Sequence, residues 1–190
     1  NNVALQFRTH RHKEVSDKDQ QRVKQIVEEF VLLSKPVGPL RRAMSLRMPI
    51  QDPRTIADQI RSVLELSSYP ITLEQTLSSA ARISLPVVFI PFDQGLEGHK
   101  AQGFVATCGD QNLIFLNTAL ALEDVTWNLF HELTHVFVGN YEQQSKEEEK
   151  FCNAVASEVL APSDFFKRDD IKKLLKEAFR LPSSDLVRII

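Results

Sequence analysis

Cysteine, glycine, tryptophan and long apolar runs are all scarce in this sequence. Two cysteines, Cys108 and Cys152, exclude a disulfide-stapled scaffold and leave a buried thiol as the expected state of each. The opening segment, NNVALQFRTHRHK, holds no apolar stretch that could act as a secretory h-region. The run LPVVFIPF is far too short to cross a bilayer, which takes about 20 apolar residues. A soluble, cytoplasmic protein is the expectation. Neither sign of charge is in excess: 23 Lys and Arg stand against 25 Asp and Glu. Nothing global steers the chain toward nucleic acid or a membrane surface, and the basic clusters RTHRHK and RRAMSLR read as solvated faces. Internal repeats and low-complexity linkers are absent. The first residue is Asn rather than Met, which fits a fragment of a longer chain.

What is present is the balance of an ordinary folded domain: 43% hydrophobic and 25% charged over 190 residues, enough for a sizeable core. Ser16 with Asp19 forms a candidate capping pair, and Val23, Ile26, Val27, Phe30 and Val31 recur at helical spacing, so residues 17–34 read as an amphipathic helix. Asp52 followed by Pro53 opens a second helix with Ile56, Ile60, Val63 and Leu64 on its apolar stripe. Thr72 and Gln75 cap a third, running to about Ile83. Composition then shifts to β-branched and aromatic residues in LPVVFIPF, GFVATC and NLIFLN, three short strands, the last two split by a turn at Gly109 and Asp110. Helical periodicity returns in LEDVTWNLFHELTHVFV, closed by Gly139 and Asn140. Another helix, capped by Ser145 with Glu148, stops before Pro162, and the tail gives one more helix and the start of a further one. The pattern predicts an α+β fold, mostly helical with a small three-stranded sheet. It divides into an N-terminal helical extension over 1–50, a core over 51–165 and a C-terminal helical segment over 166–190, packed as one unit.

The chemistry lies in HELTH. Residues four apart on a helix stand one above the other, so His131 and His135 can aim their imidazoles at one point. Zinc takes neutral imidazole nitrogens, and a catalytic zinc keeps three protein ligands and one open position. Glu132, beside the first ligand, is placed to act on a water rather than on the metal. Trp127, Phe130, Val136 and Phe137 line the rest of this helix, which marks it as a core helix. Two histidines and a glutamate placed there without a partner would be costly to bury, and a metal would satisfy them. A structural zinc is disfavoured, since no fourth Cys or His stands at the spacing a closed site needs.

A third ligand is required. Another pattern known for such helices asks for Gly and His three and six residues after the second histidine, where this chain has Val138 and Tyr141. A carboxylate from the next helix remains, and Glu147, Glu148 and Glu149 supply it. Glu149 shares a stripe with Cys152, Asn153, Ala156 and Leu160, whose small residues allow a close helix approach. Glu149 is therefore the favoured ligand, with Asn153 one turn on as a hydrogen-bond partner for a ligand histidine. Glu148, aligned with Phe151, Val155 and Val159, is the second choice.

FHELTHVF followed by EEEKFCNAVASEVLAP resembles the ImmA/IrrE family of zinc metallopeptidases, in which H-E-x-x-H precedes E-x-x-[AC]-N-x-x-A-x-x-x-L-x-P. Glu149, Cys152, Asn153, Ala156, Leu160 and Pro162 fall in register, with Ala161 where Met is commoner. The resemblance runs from about residue 55 to 188, through IADQIRSVLELSSYPI and GFVATCGDQNLIFLN. It implies a zincin-like fold, Zn²⁺ held by His131, His135 and Glu149, and Glu132 as general base. It also implies a protein substrate, a helix-turn-helix transcriptional repressor in a bacterial or phage setting, and leaves room for a DNA-binding domain before residue 1. The strand two before the catalytic helix would be the exposed edge that grips an extended substrate, through Phe104, Val105, Ala106 and Thr107. His99 and Tyr141 are candidates for stabilising the oxyanion, while His10 and His12 read as surface histidines. A non-proteolytic binding module or toxin component on the same fold is the competing function.

Overall fold

The computed structural model describes residues 3–9, 21, 24–29, 52–67, 69–91, 101–108, 111–119, 121–138 and 146–178. Its elements, in chain order, are β1 (Val3–Thr9), α1 (24–29), α2 (Pro53–Val63), α3 (Leu73–Arg82), β2 (Val87–Ile90), β3 (Ala101–Cys108), β4 (Gln111–Asn117), α4 (Leu122–Val138), α5 (Lys146–Leu160), α6 (Ser163–Lys167) and α7 (Asp169–Ala178). Helices before and after a small mixed sheet make this the expected α+β class.

Local chemistry sets the helix starts. Asp52 caps α2 by accepting from the Thr55 N–H at 3.3 Å, with Pro53 in the first turn where its missing donor costs nothing. Thr72 and Gln75 close a reciprocal capping box on α3, at 3.1 and 3.2 Å. Ile56, Ala57, Ile60 and Leu64 form the buried stripe of α2, and Val63 is only partly buried. Val27 is buried within α1, in keeping with the amphipathic helix read there.

The sheet runs in the order β1-β3-β4-β2. The three expected strands are β2, β3 and β4, with β3 and β4 an antiparallel pair in register from Gly103↔Leu116 to Cys108↔Gln111 and β2 parallel to β4. A fourth strand, β1, joins them antiparallel to β3, pairing Val3 with Cys108 and Phe7 with Phe104, with a register shift between Phe7 and Thr9. The segment read as a helical extension therefore begins with a strand of the core sheet. This corrects the expectation of an exposed edge at Phe104, Val105, Ala106 and Thr107: β3 is paired on both sides, its outer hydrogen-bonding edge already used by β1, and Phe104, Val105 and Ala106 are buried. VALQFRT alternates Val3, Leu5 and Phe7 with Ala4, Gln6 and Arg8, which is the period of a strand and the signal that could have found β1. At the other end of the sheet, β2 is four residues long, bracketed by Pro86 and Pro91, with Phe89 39% exposed.

Alternation splits the sheet into two faces. Val105, Ile114 and Leu116 join the main core with Leu129, Phe130, Leu133 and Phe137 of α4. Phe104 and Phe115 are cross-strand partners whose rings stack at 4.7 Å, and they point the other way while remaining buried. α4 lies against β3 and β4 and is covered in turn by α5, which also packs on α2. From Asn128 to Val138 every residue of α4 is buried, so this helix is the spine of the core rather than a surface element. Among the described residues no helix is long and apolar enough to cross a membrane. The readings placed on Ser16, Asp19, Gly109, Asp110, Gly139, Asn140, Ser145 and the start of a last helix lie outside the described residues. α6, formed by SDFFK just after Pro162, is a short helix beyond those expected.

Candidate metal centre

α4 carries His131, Glu132, Thr134 and His135 at 0, 1, 0 and 2% exposure. Thr134 satisfies itself by donating to the Phe130 carbonyl at 2.8 Å, so it needs nothing from the site. The two imidazoles converge as their spacing requires: His131 Nε2 and His135 Nε2 face each other at 3.1 Å. α5 brings Glu149 across, with Oε2 at 3.4 Å from His131 Nε2 and Oε1 at 3.4 Å from His135 Nε2. Its side chain is 16% exposed, the part of the triad that reaches solvent. Trp127 leans on the His131 ring at 5.7 Å and its indole N–H points to the Ser157 hydroxyl at 3.4 Å, tying α4 to α5 beside the triad.

Those separations test the fit of a metal. Ligands at about 2.0–2.1 Å from a tetrahedral ion lie roughly 3.3 Å from one another. His131, His135 and Glu149 meet that spacing and offer two imidazoles and one carboxylate, a donor set zinc accepts. Among the described residues this is the one such group.

The electrostatics agree. Burial alone would depress the pKa of His135, but hydrogen bonding to Cys152, Glu148 and Glu149 outweighs it and holds the group well above the usual imidazole value. Burial works to raise Glu149, yet its contacts with His131 and His135 keep it far below the ordinary carboxylate range. Glu149 thus stays ionised beside the two imidazoles, and a proton on His135 occupies the place that a cation would take. Burial pushes the Cys152 thiol up, so it stays neutral.

Glu132, next to His131, turns toward β3. A Cβ built on Gly103 would fall 3.1 Å from Glu132 Oε1, 3.0 Å from the Phe115 carbonyl and 3.1 Å from Leu116 Cδ2. Gly103 is the residue whose lack of a side chain makes room for that carboxylate. A glycine inside a strand is the sequence signal for such a close approach.

Asn153 does not hold a ligand histidine: its Oδ1 is buried with no hydrogen-bond partner among the described residues. The residue set against the far nitrogen is Glu148, whose Oε1 lies 3.4 Å from His135 Nδ1. Cys152 Sγ is 3.5 Å from the same nitrogen. A charged residue aligned with the apolar stripe of Phe151, Val155 and Val159 was the available clue to Glu148. His99, Tyr141, His10 and His12 lie outside the described residues.

No curated protein and no solved structure matches the chain. The family model of the IrrE N-terminal-like domain, Peptidase_M78, matches residues 80–184, a stretch that begins in α3 and takes in β2 to β4, the HELTH helix and the Glu149 helix. With the metal-competent triad inside that stretch and more than half of its length matched, the chain belongs to the IrrE N-terminal-like family of metallopeptidases.

Proposed function

We propose that this protein is a zinc-dependent endopeptidase in which His131, His135 and Glu149 hold the ion and Glu132 is the general base. The observation that carries the reading is the convergence of two imidazole Nε2 atoms, 3.1 Å apart, on one carboxylate, each lying 3.4 Å from one of the two Glu149 oxygens, a donor set that suits zinc with room for a further ligand. Zinc held there would polarise the scissile carbonyl and lower the pKa of a water at the open position to about 7. With the ion bound, Glu132 would accept a proton from the attacking water as the water's oxygen bonds to the carbonyl carbon. It then returns the proton to the amide nitrogen as the C–N bond breaks. Burial of Glu132 at 1% exposure shields its carboxylate from bulk solvent beside Gly103.

The family supports a protein as substrate, and the resemblance to ImmA/IrrE proteins supports a helix-turn-helix repressor, which sets the reaction in the cytoplasm. Co-expression with the product of a neighbouring repressor gene is the direct test. Wild type should cleave it, and Glu132→Gln, which alters no ligand, should keep its zinc and its partner while cleavage stops. If Glu132→Gln retains the full biological effect, the protein works as a binding module and the peptidase reading fails.

A further inference from the structure

α5 presents two consecutive glutamates to one imidazole. Glu149 reaches the Nε2 side of His135 at 3.4 Å, and Glu148 stands at 3.4 Å from Nδ1 on the opposite side of the ring. Adjacent helical residues diverge by about 100°, so they can grip both nitrogens only if the ring is inserted between them. Glu148 is 5% exposed, although it lies in the first turn of α5, where a glutamate could have remained in water as Glu147 does. Burying a carboxylate is costly unless a donor compensates it.

We propose that Glu148 is the positioning residue of the metal centre: it accepts the Nδ1–H of His135, fixing the tautomer and the ring so that the Nε2 lone pair faces the ion. The role rests on the reading of the triad as a metal site and adds to it a residue that touches neither ion nor substrate. A neutral imidazole carries one N–H and one lone pair, and which nitrogen has which is set by the partner of the other. An anionic acceptor at Nδ1 also raises the basicity of Nε2 and strengthens its bond to a cation. Cys152, with Sγ 3.5 Å from the same Nδ1, is the rival, but sulfur is a weak acceptor.

The test measures zinc affinity of the full chain by competition with a chromophoric chelator, alongside melting of the metal-free protein. Glu148→Leu keeps the volume and removes the acceptor. It should bind Zn²⁺ about 10–100-fold more weakly than wild type, the loss typical of such outer partners, with a cooperative melt of the metal-free variant showing that it remains folded. Glu148→Gln, whose amide oxygen still accepts the N–H, should recover part of that loss, and Cys152→Ala should stay near wild type. Glu148→Leu binding within about twofold of wild type, or a loss seen in Cys152→Ala and not in Glu148→Leu, overturns the role. A wild-type protein that binds no zinc overturns the metal centre itself and this role with it, an outcome separable from the other two.

Discussion

Gly103 and Glu132 meet where a strand and a helix are pressed together, and the contact leaves no room for a methyl group. In Gly103→Ala the new Cβ would press on the Phe115 backbone carbonyl, which cannot move freely, and on the Glu132 carboxylate, which can. The carboxylate should therefore shift by a few tenths of an ångström while His131, His135 and Glu149 stay in place. Since a misplacement of about 1 Å costs on the order of 100-fold, a loss of roughly tenfold in kcat is expected, with stoichiometric zinc retained. Overpacking should lower stability by about 1–3 kcal/mol. Metal analysis and steady-state kinetics on the same preparation check this. A variant that loses zinc in proportion to activity would place the effect on the ligands instead.

At the scale of elements, the triad is a joint between α4 and α5. An ion bound to the folded form alone stabilises it by about 4 kcal/mol when present at 1,000 times its dissociation constant. For a chain of this size that corresponds to a melting shift of about 10 °C. Chelation should lower the melting temperature of wild type by that order and leave Glu149→Ala, already deprived of the bridge from α5, almost unmoved. Equal shifts in the two proteins would show that Glu149 is not a ligand. These two helices were also the most legible part of the sequence. Helical periodicity is long and unbroken in LEDVTWNLFHELTHVFV, and the ligand spacing depends on nothing beyond the helix itself. Choosing among three adjacent glutamates needed one more turn of helical phase. The role of Glu148 needed the distance to His135, a tertiary contact that spacing along α5 does not encode.

For the molecule as a whole, the proton held at His135 couples metal binding to pH. The folded-state pKa of His135 lies well above 6.5, so at neutral pH the metal-free protein carries a proton there that the ion must displace. Affinity for Zn²⁺ should rise with pH through the neutral range until that pKa is passed, and calorimetry in buffers of differing ionisation enthalpy should register protons released on binding. An affinity flat with pH would contradict the pairing. In the metal-free protein the sign reverses. The raised pKa of His135 contributes stability present below its unfolded value, near 6.5, and lost as pH rises through the folded one. The lowered pKa of Glu149 contributes stability present above about 4.5 and lost as pH falls toward the folded value. Topology was the least legible level. The strands β2, β3 and β4 could be read from composition, and the alternation in VALQFRT marks a strand, but its pairing with β3 joins residues about a hundred positions apart, which no local pattern encodes.

β2 closes the sheet on the side away from β1, and its brevity has a consequence for how copies of this protein behave when crowded. An open strand is a template on which a second polypeptide can grow, and growth needs a continuous row of backbone donors. Pro86 turns its carbonyl to Ile114 on the β4 side, so the outward groups of this four-residue strand are those of Val87 and Phe89, and Pro91, next in that phase, ends the row without a donor. Phe89, 39% exposed in the middle of it, would otherwise be an adhesive spot. Pro91 acts as a gatekeeper against fibrillar stacking at this edge, while β1 forms the opposite edge of the sheet.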